Sequence, residues 1–119
     1  MCKITHIKFP MRIGLDLIDL DDFTKTVQNG GQSFLRQNFT QDELSPGFNI
    51  QNLAGKFAAK EAVFKTGYLK AFKPLSIQIL NNENGSPSVV SLDGVIIDSL
   101  SVSITHTKTT AAAAVIWHP

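Results

Sequence analysis

The stretch Asn52-Leu-Ala-Gly-Lys-Phe-Ala-Ala-Lys-Glu-Ala-Val-Phe-Lys-Thr-Gly67 constrains this chain most, because it is the longest clear helical run and carries charge where a core should be. At about 100° per residue, Leu53, Phe57 and Phe64 fall in a narrow sector that marks the face turned toward a core. Beside that stripe stand Glu61 and Lys65, one turn apart, and Ala54 and Ala58 occupy the same flank. Two readings follow. In one, Glu61 and Lys65 are an exposed i,i+4 pair in the favourable order, contributing about 0.2–0.5 kcal/mol. In the other, the small flank leaves room for a ligand next to two chemically useful charges. Spacing alone favours the first, since such pairs are common on solvated helices. Asn49 or Asn52 can start the helix, Lys65 lies in its last turn, and Gly67 is placed for a left-handed C-cap.

The flanking segments supply a sheet. From Ile4 to Leu20 the chain reads as strand, with Ile13, Leu15 and Leu17 alternating with Arg12, Gly14 and Asp16, so that Asp16 faces away from the apolar set. Gly14 marks a bulge or a close approach by another backbone or a ligand. Asp16 by itself reads as a strand-end turn residue. Asp19 or Asp21 can cap a helix with Phe23 and Val27 inward, ended by Gly30-Gly31; Ser33 to Phe39 reads as a short helix, and Thr40-Gln-Asp-Glu43 matches a capping box. Ser45-Pro-Gly47 breaks the chain before the central helix.

Beyond it, Leu75 to Leu80 alternates as a half-buried strand, Asn81 to Pro87 is dense in turn formers, and Ser88 to Leu92 is a second strand. Asp93-Gly94 makes a tight turn into Val95 to Ile97. Leu100, Val102, Ile104 and His106 share one parity, Ser101, Ser103 and Thr105 the other, and Thr110 to Trp117 is an apolar, Ala-rich strand. This order, without βαβ alternation, predicts an α+β fold: antiparallel sheet packed against one long central helix, with shorter helices beside it.

A chain of 119 residues, 43% hydrophobic, is the size of one domain, and no composition shift divides residues 1–119. A net charge of +1 without a lysine or arginine run argues against a nucleic-acid partner. The lone Cys2 can form neither an internal disulfide nor a Cys-based zinc site, which points to a reducing, intracellular setting. No apolar run approaches bilayer-spanning length and the first residues lack a secretory apolar block, so a soluble, cytoplasmic protein is expected, with no membrane partner.

Four segments, in order, resemble the holo-acyl-carrier-protein synthases, the small class of 4′-phosphopantetheinyl transferases, from about Ile13 to Ile116. Ile13-Gly-Leu-Asp-Leu-Ile18 resembles the family's Gly-x-Asp strand, and Phe39-Thr-Gln-Asp-Glu-Leu44 its Phe/Leu-Thr-x-x-Glu turn. Leu53 to Lys65 is close to its signature helix throughout, and Val102-Ser-Ile-Thr-His-Thr107 resembles its final strand. The Lys60-Glu-Ala-x-x-Lys65 element is fairly specific in that company.

The resemblance implies transfer of the 4′-phosphopantetheine arm of coenzyme A to a serine of an acyl carrier protein, leaving adenosine 3′,5′-bisphosphate. It implies Asp16, Glu61 and Lys65 as catalytic residues: Asp16 and Glu61 hold Mg²⁺, and Lys65 stabilises the leaving phosphate. Either a metal-held water or Glu61 takes the serine proton. Coenzyme A binding falls on Lys56, Lys65, Gly85, Pro87, His106 and Thr107. Such roles make physical sense, because Mg²⁺ takes oxygen ligands from one or two carboxylates, phosphates and water, and phosphoryl transfer relies on positioning and electrostatics. The resemblance further implies a homotrimer with sites between subunits.

Several positions depart from the family pattern. Gly85-Ser-Pro87 stands where Gly-Lys-Pro is usual, Thr105 replaces a serine, and Lys56 replaces an arginine, keeping charge but losing the bidentate fork. The segment Ile18 to Asn29 offers Lys25 among acids where arginines usually meet the carrier's acidic face. The alternative they motivate is a non-catalytic, transferase-like binding or assembly module that lost carrier recognition.

Overall fold

In the computed structural model, residues 10–45, 47 and 49–119 are described. The expected strand start at Ile4, together with Cys2 and Pro46, lies outside them. In chain order the elements are β1 (Arg12–Asp19), α1 (Leu20–Asn38), α2 (Gln41–Leu44), α3 (Ile50–Lys65), a 3-10 turn (Pro74–Ser76), β2 (Gln78–Asn81), β3 (Pro87–Val90), β4 (Leu100–His106) and β5 (Thr110–Trp117). The β1, β5 and β4 strands form an antiparallel three-stranded sheet in that spatial order, and β2 pairs with β3 in a separate two-stranded sheet. The architecture is the expected α+β, with α3 across the larger sheet.

Side-chain caps set the helix boundaries. The Asn49 side chain accepts a hydrogen bond from the Asn52 N–H at 2.8 Å, and Gly67 ends α3 with a φ of +90°. Thr40 and Glu43 form the full capping box expected of them. Gly31, with φ 56° and ψ −144°, interrupts α1, so the predicted stop is a kink between two helical segments.

Three predicted strand limits move. Pro74 pre-sets a 3-10 turn over residues expected to start a strand, so β2 begins at Gln78. The second strand is Pro87–Val90, and Val95 to Ile97 contributes only a bridge between Val90 and Ile96. Gly94, at φ 85°, makes the expected turn between them.

Packing corrects the reading of the helix flank. Ala54 and Ala58 are fully buried, and Ala58 packs in one core with Ala59, Ala62, Val63, Ala113 and Val115. The small flank therefore gives the sheet access to the helix and leaves no room for a ligand. Phe57 and Phe64 are only partly buried; Phe57 meets Phe23, Phe34 and Phe39, and both meet Phe72 in the loop after α3. At Gly14, a Cβ would lie 1.8 Å from the Ala62 carbonyl oxygen. The glycine thus marks a close approach of β1 to the α3 backbone.

That contact decides which side of β1 is inward. Gly14 is buried against α3, while Ile13, Leu15 and Leu17 are 71%, 60% and 68% exposed. Ile116, paired with Ile13, and Ala114, paired with Leu15, extend the same outer face. Alternation found the apolar side of the strand, and that side is not covered within one chain.

Candidate active site

β1 and α3 bring three of the predicted residues together. Because Gly14 lets β1 sit against α3, Asp16, two residues on and on the same face, reaches the helix. The Lys65 Nζ donates to Asp16 Oδ1 at 2.9 Å and to the Leu15 carbonyl oxygen at 3.1 Å. Among the described residues, Lys65 forms its ion pair with Asp16 across the helix–strand seam, and not with Glu61 one turn back. The isolated i,i+4 surface pair is thereby replaced by a tertiary contact.

Glu61 completes the cluster as its strained member. Partial burial, and then the charge of Asp16, push its carboxyl above the ordinary carboxylate range, with Lys65 pulling the other way. Two neighbouring acids, one of them paired with Lys65, form a centre that a further cation would relieve. Among the described residues there is no group of three or more His, Cys, Asp and Glu side chains suited to hold a metal. Asp16 and Glu61 would offer a metal a pair of carboxylates, a donor set of the kind Mg²⁺ takes together with waters and substrate phosphates.

The other half of α3 faces a cavity of about 270 Å³, whose lining includes Glu43, Asn52, Leu53, Lys56, Asn81, Gly85, Pro87, Ile104 and His106. Lys56, Gly85, Pro87 and His106, four residues expected at coenzyme A, are therefore gathered on one chain. Lys56 donates to the Glu43 carbonyl oxygen at 3.1 Å. Burial lowers the pKa of its ammonium, and the Glu43 charge opposes that shift. Thr107 adjoins His106 but is not among the lining residues; its hydroxyl accepts from the Thr109 and Thr110 N–H groups in the β4–β5 turn. Lys65 is also outside the cavity, nine residues from Lys56, or about 13 Å along the helix.

Comparison with known proteins decides the family. The model of the 4′-phosphopantetheinyl transferase superfamily matches residues 12–116. The holo-[acyl-carrier-protein] synthase of Chlorobaculum tepidum is 32% identical over 92% of this chain and 99% of its own length. That of Listeria monocytogenes serotype 4a is 38% identical over 87% and 94%. Among solved structures, Helicobacter pylori holo-[acyl-carrier-protein] synthase in complex with coenzyme A superposes with a TM-score of 0.73 at 26% identity, covering 87% of this chain and 96% of that one. The enzyme from Neisseria meningitidis reaches a TM-score of 0.76 at 25% identity, over 91% and 98%. This chain belongs to the holo-acyl-carrier-protein synthase family.

As a synthase of this family the chain is a phosphopantetheinyl transferase, and its signature helix holds a charge pair that sequence reasoning missed. Lys60 Nζ and Glu43 Oε1 lie 2.6 Å apart with both side chains fully buried. Lys60 also donates to the Asn38 and Pro74 carbonyl oxygens, at 2.9 and 2.7 Å, and its ammonium lies 5.5 Å from the Phe39 ring centroid. Glu43 accepts in turn from the Thr40 and Ile79 N–H groups. Burial lowers the Lys60 pKa, and the charge and hydrogen bond of Glu43 counter that shift. A signal was present: at 100° per residue Lys60 falls about 20° from Leu53, inside the core stripe, where a charge demands a buried partner.

No helix among the described residues is long and apolar enough to cross a membrane.

Proposed function

We propose that this synthase transfers the 4′-phosphopantetheine arm of coenzyme A to a serine hydroxyl of an acyl carrier protein, with Mg²⁺, in the cytoplasm. The observation that carries the reading is the convergence of Asp16, Glu61 and Lys65 at one end of α3, with Lys56 and His106 in a cavity toward the other. The names of the relatives, and the coenzyme A complexes of the Helicobacter pylori and Bacillus anthracis enzymes, support the substrates.

In the reaction, the serine Oγ bonds to the phosphorus attached to pantetheine, and the bond from that phosphorus to the oxygen of adenosine 3′,5′-bisphosphate breaks. The serine proton leaves to a base, and the departing bisphosphate carries the negative charge. Lys65, whose ammonium stands beside Asp16, would meet that charge. Glu61, raised in proton affinity and outside the Lys65–Asp16 pair, is suited to accept the serine proton. Asp16 and Glu61 would hold Mg²⁺, which supplies neutralisation of the diphosphate. In the cavity, Lys56, Gly85, Pro87 and His106 would bind the adenosine end.

A homotrimer is part of the proposal. Its support is the outer face of Ile13, Leu15, Leu17 and Ile116, an exposed apolar surface that a second copy would cover. Sedimentation of the wild type as a trimer, and of Leu15→Arg as smaller species, would agree with it.

A second reading keeps coenzyme A binding but drops transfer. It is favoured by the start of α1, where the N-cap Asp19 and the first-turn Asp21 and Asp22 are exposed and Lys25 is the nearest cation along the helix. Incubating a candidate carrier with the protein, coenzyme A and Mg²⁺, then weighing the carrier by mass spectrometry, separates the two. A gain of one phosphopantetheine is expected; coenzyme A binding with no gain on any carrier of the same cell supports the second reading.

A further inference from the structure

We propose that Glu43 is a positioning residue for coenzyme A: its buried carboxylate fixes the main-chain carbonyl oxygen that aims the Lys56 ammonium into the cavity. Glu43 acts here through Lys56 and not on the ligand, and its role rests on the assignment of the cavity to coenzyme A.

Lys56 and Lys60 stand one turn apart on α3, and both reach Glu43 by different atoms. Lys60 Nζ meets the carboxylate at 2.6 Å, while Lys56 Nζ donates to the carbonyl oxygen at 3.1 Å. Like charges at this spacing repel, and Glu43 is the charge that favours both ammonium groups. Lys60 is fully buried, whereas Lys56 is half-buried and lines the cavity. One acid thus neutralises an inner lysine and orients an outer one.

Orientation of that kind needs a carbonyl oxygen that stays in place, and α2 cannot hold itself. At four residues it is a single turn, too short to persist alone. Its capping box closes the turn upon itself, so its place in the fold depends on bonds to other elements. The Glu43 carboxylate supplies them on two sides, to Lys60 of α3 through Oε1 and to the Ile79 N–H of β2 through Oε2, at 2.8 Å. Thr40 adds a third tie, its hydroxyl donating to Oε1 of the buried Gln78 at 2.6 Å.

Replacing the carboxylate by an amide would loosen α2 from α3 and leave Lys60 as an uncompensated charge beside Lys56. The carbonyl oxygen of residue 43 would then lose its fixed place, and Lys56 would turn toward water. An acid that only braced the fold would behave differently. Its loss would shrink the fraction of molecules able to bind, and each folded molecule would bind as before.

Titration calorimetry of the assembled protein with coenzyme A, at one pH and with Mg²⁺ present, reads affinity and stoichiometry separately. Lys56→Met is expected to weaken coenzyme A by about tenfold, the loss of one hydrogen-bonded charge. Glu43→Gln should weaken it by about three- to tenfold at unchanged stoichiometry, and by less than about twofold in the Lys56→Met background. Glu43→Gln combined with Lys60→Met carries no unpaired buried charge, so it replaces the single variant if that one fails to fold, with the same loss expected. Reduced stoichiometry at the wild-type Kd, or an equal loss with and without Lys56→Met, overturns the proposal while leaving the cavity's assignment standing. Coenzyme A that binds the wild type and Lys56→Met equally well, or binds neither, overturns the assignment and the proposal with it.

Discussion

Lys60 and Glu61 are consecutive on α3, yet one is wholly buried with three hydrogen bonds and the other is partly exposed outside any ion pair among the described residues. The difference follows from helical geometry. A step of 100° carries Lys60 under α2, where Glu43 and two carbonyl oxygens satisfy its charge, and Glu61 to the edge of β1, where Asp16 repels it. A satisfied charge binds elements together and has little capacity left for a ligand. An unsatisfied one is a reserve that a cation or a proton can use. The signature helix thus sets a satisfied structural charge beside the charge cluster to which the proposed function assigns the chemistry.

Removing one partner of the buried pair should give the largest change. Lys60→Met leaves the Glu43 carboxylate uncompensated and is expected to cost about 3–5 kcal/mol in urea unfolding. Retention of wild-type stability would mean that the pair is not the clamp described. Next comes Gly14→Ala, whose methyl group would collide with the Ala62 carbonyl oxygen. It should cost about 1–3 kcal/mol and, by pushing β1 off α3, also depress transfer; a loss confined to stability would separate Asp16 from its assigned neighbourhood.

On the exposed side the stability effects shrink. Lys65→Ala should change unfolding by no more than about 1 kcal/mol, as for other solvated pairs, while lowering the transfer rate far more than that figure would suggest. The smallest effect concerns pH. Because the folded state raises the Glu61 carboxyl, it binds more protons than the unfolded state between about pH 4.5 and the raised value, so this residue's contribution falls as pH rises through that window. Glu61→Gln should therefore gain a slight advantage in Tm over the wild type as pH rises, and Mg²⁺ should narrow the gap by stabilising the wild type alone. A gap independent of both pH and Mg²⁺ would remove the strained carboxylate from the account.

Local signals were legible where short-range chemistry decides them. Asn49, the Thr40–Glu43 box, the Gly31 break and Gly67 act through hydrogen bonds or φ values within a few residues. What is covered by what is a tertiary matter, and there pattern ran out. The alternation of β1 separates two faces without saying which meets α3, and the answer lay in the smallest residue, Gly14, because contact there is made by backbone. Ala54 and Ala58 looked like space and proved to be packing, for the same reason. Asp16 and Lys65 are 49 positions apart, so only the family resemblance joined them before the structure did. Lys60 was readable from its angle on the helix, but its partner, Glu43, already had a sufficient explanation as a capping residue.

The division of labour on α3 is tested most directly by measuring transfer and stability together in Glu61→Gln. Carrier modification, followed by mass spectrometry with coenzyme A and Mg²⁺ present, should fall by about 10²-fold or more. The unfolding free energy should stay within about 0.5 kcal/mol of the wild type, as at other surface positions. A variant that is equally stable and transfers at the wild-type rate would contradict the account.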